Sequence, residues 1–412
     1  MRKTLKITAL LSLILIMSLL LSSCGILYLR YEVDSVPNAD ALEDIDGPFP
    51  PDIKEPSYID FGIGDNFNPT AMLESFYSYD YNGEYITVAT CSDKNPLFPD
   101  SGLLADANLY SVSDNLQKKF NISLTKFPSE LKDLIKTLDT AHSSGNNYAD
   151  IVAIPLSAVP SFEGKDIFYK ISSLPFINGD SEYFSENKDL GITSQYFIGG
   201  SASYRISDTK VVYFNTELLK SLGGESPYAL LSSKEWTWDK MCEYLALGKG
   251  IATEDDILSI IAATAAKSED SDAAVSSLAE KIGSLLIAEN AKENFLGGEA
   301  LFYLGSLGEI DELNKSDTLF GLLPIPLFEK GDDYKRFHHS DDITVFACAK
   351  SAPDLERAAL IISAANAACY GSFESFFFTA TKSSFLRDNG SNISLGYICS
   401  GENGVIFPVS LN

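Results

Sequence analysis

The run His338–Asp342, with the sequence HHSDD, is the local cluster in this chain whose side chains could bind a metal ion. Imidazole and carboxylate groups are common ligands of zinc and other divalent cations. Neighbouring side chains point to opposite faces of a strand, so these groups can converge only in a turn. A predicted strand follows at Ile343–Cys348. We therefore expect a solvated loop that offers hydrogen bonds to a ligand, with a metal site as the alternative.

Two tryptophans, Trp236 and Trp238, could stack on the apolar face of a sugar. They also flank Thr237, a residue type that is favoured at helix N-caps. Counted from that cap, Trp236 and Met241 occupy the two positions of a hydrophobic staple, and Trp238 and Leu245 share one helical stripe. The spacing therefore favours a structural role in the core for both tryptophans.

Catalytic signatures are weak in this chain. Neither G-x-S-x-G nor H-E-x-x-H occurs in it, and the remaining histidine, His142, lies at the end of a predicted helix. The acidic pairs are adjacent in sequence, as is common in solvated loops, and they are Asp255-Asp256, Asp332-Asp333 and Asp341-Asp342. We therefore expect neither an enzymatic activity nor a cofactor.

The N-terminus has the pattern of an export signal. Basic residues in the first six positions precede the apolar run Ile7–Leu21, which is short for a membrane-spanning helix. The next residues, Leu21–Cys24 (LSSC), resemble a bacterial lipobox. This implies a lipoprotein signal peptide at residues 1–23 and a lipidated Cys24 that anchors the protein at the extracytoplasmic face of the cell membrane. The alternative is an ordinary secretory signal with an incidental cysteine.

Composition limits the partners and the architecture. A net charge of −26 over 412 residues argues against a nucleic-acid partner, which requires many Lys and Arg side chains at phosphates. This length favours two lobes. Residues 31–80 hold twelve acids and one base, Lys54, so we expect residues 24–83 to form an extended tether that begins at the lipidated cysteine. The five cysteines beyond Cys24 are widely spaced, and we expect each to be a small buried hydrophobe.

The first part of the folded sequence alternates strands and helices. Predicted strands lie at Tyr85–Ala89, Ile122–Lys126 and Asp150–Pro155, and predicted helices lie between them at Leu104–Phe120 and Ser129–His142. This alternation predicts parallel βαβ units with right-handed crossovers. Ligands bind outside the carboxyl ends of such strands.

The middle of the chain carries the most specific motifs. In the stretch Thr209–Leu245, a short strand is followed by Asn215 as a helix N-cap, and the segment EWTWDK begins a further helix at Thr237. The runs FLGGEALFYLG and FGLLPIP follow, and an Ala-rich helix begins near Ala352. In this order, these motifs resemble family 1 extracellular solute-binding proteins, the receptors of ABC importers.

This resemblance implies an α/β fold with two lobes, of the periplasmic-binding-protein-like type II, and a ligand cleft between the lobes. It implies a first lobe of residues 84–203 and 343–370 and a second lobe of residues 204–342 and 371–412. Crossovers between the lobes are then expected near residues 199–214 and 340–348, where hinge closure would surround a ligand.

The resemblance also implies a function. A receptor of this kind would capture a small solute, in first place a sugar or oligosaccharide, and deliver it to the permease subunits of an ABC importer. The candidate ligand-binding residues, which flank the expected crossovers and strand ends, are Tyr204, Tyr303, Ser306 and Asp341.

One difference from the family that the motifs resemble leaves alternative functions open. The segment between Leu245 and Phe295 has about fifty residues, reads as nearly all helical, and is shorter than in relatives. A surface sensor or adhesion module on the same scaffold is therefore an alternative to a transport receptor. A cell-surface hydrolase is a further one.

Overall fold

The structure of the protein is a computed structural model that describes residues 71–76, 79–99, 102–265, 271–383 and 385–408. All of these belong to one compact unit, residues 46–412. The predicted signal peptide, Cys24 and most of the predicted tether lie outside the described residues. Within the described part, no helix combines the length and the apolar character that crossing a membrane requires.

The strands of the described residues fall in two sheets, and most of them are rich in β-branched and aromatic residues. They are β1 (Glu84–Thr90), β2 (Ile122–Pro128), β3 (Ile151–Pro155), β4 (Lys210–Asn215), β5 (Gly250–Ala252), β6 (Leu286–Ile287), β7 (Ala300–Ser306), β8 (Phe320–Leu323), β9 (Lys335–His339), β10 (Thr344–Ala347) and β11 (Glu402–Ile406).

The helices pack on these sheets, and short 3₁₀ turns connect several of them. They are α1 (Ala71–Glu74), α2 (Ala107–Phe120), α3 (Leu131–Ser144), α4 (Glu186–Asp189), α5 (Thr216–Ser221), α6 (Ala229–Ser232), α7 (Trp238–Leu245), α8 (Ile257–Thr264), α9 (Ser271–Gly283), α10 (Ala291–Leu296), α11 (Ile310–Leu313), α12 (Leu355–Cys369), α13 (Ser372–Lys382) and α14 (Asn389–Ser400).

The first sheet has the strand order β10-β3-β1-β2. Strands β1, β2 and β3 run parallel, which confirms the predicted βαβ units, and β10 returns antiparallel to β3. Helix α3 begins at Leu131 after an N-cap at Glu130, so the predicted start of this helix at Ser129 is wrong. The backbone N–H of Ser129 instead donates to the carbonyl of Thr90, at the end of β1, which holds Ser129 outside the helix.

The second sheet has the strand order β11-β9-β4-β7-β5-β6, and β8 pairs with β4. Strand β4 is antiparallel to its partners β7, β8 and β9. The prediction that residues 246–294 are nearly all helical is wrong, because β5 and β6 pair in parallel and extend the sheet beyond β7. Each of these strands is only two or three residues long, and periodicity cannot separate such short apolar runs from helix.

The two tryptophans belong to the core of the second sheet, as their spacing predicted. Both side chains have 0% exposure. The indole N–H of Trp236 donates to the carbonyl of Pro324 at 2.9 Å, and that of Trp238 donates to the hydroxyl of Thr264 at 3.0 Å. Thr237 caps α7 by accepting from the N–H of Lys240. Burial together with a satisfied N–H is typical of structural tryptophans.

The observed architecture confirms the predicted α/β class with two sheets. Four of the five described cysteines are buried, as expected, whereas Cys91 is half-buried; all five are free thiols. Apolar packing continues from the first sheet through Leu156 and Ile343 to Tyr213 and Leu307 of the second sheet. The two sheets therefore share part of one core.

Candidate functional site

The two sheets meet at the edges where most of their strands end. In the first sheet β1, β2 and β3 end at one edge, and β10 begins there. In the second sheet β4 begins at the edge where β5, β7 and β9 end. The chain passes between these edges in two crossovers, residues 203–209 and 340–343. We call the contact between these two edges, with both crossovers, the junction; it is the place where α/β folds bind ligands.

Main-chain hydrogen bonds close the junction around the crossovers. The N–H of Thr344, at the start of β10, donates to the carbonyl of Ser203 at 2.6 Å. The N–H of Leu307 donates to the carbonyl of Thr209 at 2.8 Å. These bonds run between segments far apart in sequence, so the two crossovers are fixed relative to the strand ends around them.

A buried carboxylate, Asp208, receives positive charge from both sides of the junction. Arg205 donates to it through Nε at 2.7 Å and through Nη2 at 3.0 Å. Lys94, in the loop after β1, donates to it through Nζ at 2.9 Å. Burial opposes the charge, but the bonds and charges of Arg205 and Lys94 hold the pKa of Asp208 below its ordinary value. Asp208 therefore remains ionised and links the first sheet to the second.

A second ionic cluster lies where β4 begins and β5, β7 and β9 end. Lys210 donates to Asp255 at 3.0 Å and to the hydroxyl of Ser306 at 3.2 Å. Nε2 of His339 lies 3.1 Å from the same carboxylate. Burial opposes the charge of Asp255, but the hydrogen bond with His339 and the charge of Lys210 keep its pKa below the ordinary value. The side chains of His339 and Asp255 are 23% and 20% exposed, so a ligand at the junction can reach them.

Buried polar atoms without a protein partner are concentrated at the junction. Ten described residues carry such atoms, and five of them lie here. They are Asn95 after β1, Thr209 before β4, His338 and Ser340 at the end of β9, and Thr344 at the start of β10. A buried group left without a hydrogen bond costs about 1–3 kcal/mol. Polar groups of this kind in a folded protein are normally matched by water or a ligand.

The neutral state of His338 should make the fold sensitive to acid. Burial, helped by the charge of Arg336, lowers the pKa of His338 from 6.5 to about 3. The unfolded chain therefore binds a proton below pH 6.5 that the folded chain does not bind, so stability is full above this pH and falls as the pH falls. Between pH 6 and 5, His338 should lower the free energy of unfolding by up to about 1.4 kcal/mol per pH unit. Urea denaturation at both pH values measures this slope.

A variant separates His338 from other acid effects. His338→Gln should remove its share of the slope, because glutamine does not titrate. His142→Gln, at an exposed position, is the matched substitution outside the buried strand. Because the pKa values of Asp208 and Asp255 are lowered, these groups reduce the free energy of unfolding further only when the pH falls below 3.8, the ordinary carboxyl pKa. An equal slope in His338→Gln and the wild type would show that His338 accepts a proton in the fold.

The two predicted aromatic ligand residues are both buried. Tyr204, 4% exposed, stacks on His338 with ring centroids 4.7 Å apart and packs against Phe373. Tyr303, 5% exposed, stacks on Tyr213 and donates from its hydroxyl to Glu309 at 2.6 Å. Burial, together with the carboxylate of Glu309, raises the pKa of Tyr303. In this closed arrangement both rings contact protein, and their role as ligand platforms stays a prediction.

The two predicted polar ligand residues lie at the junction. Ser306 ends β7, and its hydroxyl accepts from Lys210, which places it in the second ionic cluster. Asp341 is exposed in the second crossover and accepts from the hydroxyl of Ser157, which follows β3. The structure thus brings Ser306 and Asp341 to the same junction as Lys94 and Asp255. Their contact with a ligand stays a prediction.

The prediction of a solvated loop at His338–Asp342 is wrong for its two histidines. His338 and His339 belong to β9, which pairs with β4 and β11, and His338 has 0% exposure. Partners distant in sequence, Tyr204 above all, provide this burial. In the described part of the chain, no group of three or more His, Cys, Asp or Glu side chains is arranged to hold a metal ion.

Sequence reasoning missed the ionic residues of the junction. Lys94 and Lys210 pair with carboxylates 114 and 45 residues away, so no local pattern marks either of them. Asp255 was assigned to a solvated acidic pair. Its position just after the short strand β5 is the signal that could have pointed to it, because strand ends line the functional edge.

Neither a protein-family profile nor a curated protein sequence matches this chain. Among solved structures, it is similar to RafE from Streptococcus pneumoniae, with 12% identity, a TM-score of 0.47, and coverage of 80% of this chain and 90% of that one. It is also similar to a family 1 extracellular solute-binding protein from Bifidobacterium longum subsp. infantis, with 18% identity, a TM-score of 0.45, and coverage of 73% and 81%.

A third similar structure is MalE from Listeria monocytogenes in complex with maltose, with 13% identity, a TM-score of 0.45, and coverage of 78% and 86%. Many of the structures to which the chain is similar are thus family 1 extracellular solute-binding proteins, the family that the sequence motifs resemble. At these sequence identities and TM-scores, the function of the chain has to be argued from its own residues.

Proposed function

We propose that this protein is an extracellular solute-binding lipoprotein that captures a small polar solute at the junction and delivers it to an ABC importer. The observation that carries the proposal is the junction itself. The functional edges of two sheets face each other there, and five buried side chains with unmatched polar atoms line the contact. A solute between the edges would provide hydrogen bonds that the protein does not provide.

The chemistry of the junction favours an uncharged solute rich in hydroxyl groups, so a sugar or oligosaccharide is the first choice. The unmatched groups are three hydroxyls, one imidazole that burial keeps neutral, and one amide. They offer donors and acceptors without net charge. The cations Lys94, Arg205 and Lys210 already pair with Asp208 or Asp255, so they are not available as a primary anion site.

Capture requires the two edges to separate and close again. The two crossovers are the short segments that would act as hinges in such a motion. Under this proposal, the sheet-bearing halves are lobes with the boundaries expected from the sequence. The LSSC motif at Cys24 supports attachment to the outer face of the membrane, where the permease subunits would receive the solute.

The proposal predicts that a hydroxyl-rich solute stabilises the purified full-length chain. A solute at 100 times its Kd adds about 2.7 kcal/mol to the free energy of unfolding, which a thermal-shift screen detects. Mono- and oligosaccharides should raise the midpoint, whereas amino acids, peptides and divalent cations should not. A response to cations alone would replace this proposal with the metal-site alternative.

Other outcomes of the same screen separate the remaining alternatives. No shift with any solute would contradict the proposal and favour the sensor or adhesion module. Release of a product from a glycoside during incubation would favour a hydrolase, and chromatography of the mixture after the scan detects it.

A further inference from the structure

A further contact between the sheet-bearing halves lies at the start of α2, beside the first crossover of the junction. Here the turn Leu104–Asp106 meets the turn Ile206–Asp208, before β4, and the turn Leu307–Glu309, after β7. Helix α2 itself packs on α12 and on the first sheet, through buried residues that include Leu109 and Val112. This contact therefore joins a helix of the first half to two strand connections of the second.

Two aspartates make reciprocal bonds across this contact. Asp106, from the first half, accepts from the backbone N–H of Ser207 at 3.1 Å and from its hydroxyl at 2.5 Å. Asp311, from the second half, accepts from the backbone N–H of Leu104 at 3.0 Å. Each half thus supplies one carboxylate and one backbone N–H that donates to the carboxylate of the other half. A carboxylate that accepts a backbone N–H makes a charge-assisted bond.

Burial makes these bonds necessary in the closed arrangement. Asp106 has 0% exposure, and burial raises its pKa although the bonds from Ser207 oppose the shift. Burial also raises the pKa of Asp311, against the opposing bond from Leu104. A buried carboxylate that lost its donors would be strongly unfavourable. Asp106 is therefore stable either bonded across the contact or exposed to water after the halves part, whereas Asp311 is half-buried.

Close packing adds to the contact. A Cβ atom at Gly308 would lie 2.8 Å from Cβ of Ser207 and 3.0 Å from a methyl group of Leu103. Only a residue without a side chain lets the two connections approach this closely. Gly308 therefore allows Ser207 to come within reach of Asp106.

From these contacts, we infer that the reciprocal bonds Asp106–Ser207 and Asp311–Leu104 form a latch that couples the two halves, so that loss of either bond loosens both turns. The inference rests on the proposed function in one respect, namely that the halves separate to admit a solute. A solute would then enter only when the latch opens. None of the four latch residues carries a buried side-chain atom without a partner, so the latch does not use the unmatched groups of the junction.

Amide hydrogen exchange of the solute-free, full-length chain tests the latch. In Asp106→Ala, the amide of Leu104 should exchange about tenfold faster than in the wild type, although its own acceptor, Asp311, is intact. In Asp311→Ala, the amide of Ser207 should respond in the same way. Gly308→Ala leaves both carboxylates in place. It should accelerate hydrogen exchange at both amides, because the added methyl group forces the turns apart. The radius of gyration from X-ray scattering should rise in all three variants.

Asp114→Ala is the matched control, since Asp114 lies on α2, the helix that follows Asp106, and pairs with Lys118 at the surface. It should leave both amides and the radius of gyration unchanged. If each aspartate variant accelerates exchange only at the amide that donates to that aspartate in the wild type, the bonds are independent local contacts and the latch is wrong. This outcome is independent of the thermal-shift screen, because no solute is present. Protected β4 amides in every variant would show that the fold is intact.

Discussion

Asp150→Ala is expected to lower the free energy of unfolding by about 3–5 kcal/mol, because it leaves a buried guanidinium without its main partner. Asp150 is 2% exposed and accepts from Nη2 of Arg357 at 2.6 Å. It also accepts from the backbone N–H of Thr87 at 2.8 Å and from its hydroxyl at 2.7 Å. These bonds tie the start of β3 to β1 and to α12. Urea denaturation followed by circular dichroism measures the change.

The control for this prediction is another ion pair of the first-sheet half. Asp166 pairs with Lys350, but the Asp166 side chain is 84% exposed. Asp166→Ala should therefore change the free energy of unfolding by less than about 1 kcal/mol. Equal losses in the two variants would contradict the account, because burial of the pair would then have no influence on its contribution.

Trp236→Ala is expected to lower the free energy of unfolding by about 3–5 kcal/mol, the usual cost of removing a buried tryptophan. Its ring packs against Phe302 and Tyr244, and its N–H donates to the carbonyl of Pro324. Because the ring has 0% exposure, the variant should bind solute with unchanged affinity wherever it remains folded. Denaturation and calorimetric titration at a temperature well below the midpoint measure the two quantities.

A conservative variant separates packing from hydrogen bonding. Trp238→Phe keeps an aromatic ring but removes the indole N–H that donates to Thr264. Trp238→Phe should lower the free energy of unfolding by less than Trp238→Ala does, since the hydroxyl of Thr264 keeps its own bond to the carbonyl of Ile261. A large loss of solute affinity in a folded Trp236→Ala or Trp238→Phe variant would show that these rings serve a ligand after all.

Much of the fold was predictable because local signals agree with the tertiary structure. The strand at Lys210–Asn215 and the caps at Asn215 and Thr237 follow from side-chain chemistry that acts within a few residues. The parallel order of β1, β2 and β3 follows from the alternation of strands and helices. Such features need no information about distant partners.

Strand β9, with the sequence KRFHH, shows why other features were not predictable. Four of its five residues are basic or histidine, a composition typical of exposed segments. Its burial depends on tertiary partners: Arg336 donates to Asn403 and to the carbonyl of Cys399, and its guanidinium lies 4.1 Å from the ring centroid of Phe373. All three partners come from the last fifth of the sequence. No local pattern contains that information.

The candidate site shows the same difference between what local sequence signals predict and what depends on tertiary contacts. The sequence placed Ser306 and Asp341 near strand ends or crossovers, and the structure places both at the junction. It could not show that the tyrosine rings are covered, because Tyr204 is covered by His338 and Phe373, and these contacts exist only in the fold. Side-chain type and strand position can be read from a sequence, whereas the neighbour that covers a ring cannot.

A solute that binds at the junction should contact His339, and a calorimetric titration of His339→Ala tests this. With a solute found by the thermal-shift screen, this variant should bind about tenfold more weakly than the wild type, because a partly exposed imidazole bonded to Asp255 is lost from the site. His142→Ala, at an exposed position on α3, should bind as the wild type does. Equal affinities for His339→Ala and the wild type, with both proteins folded, would contradict a site at the junction.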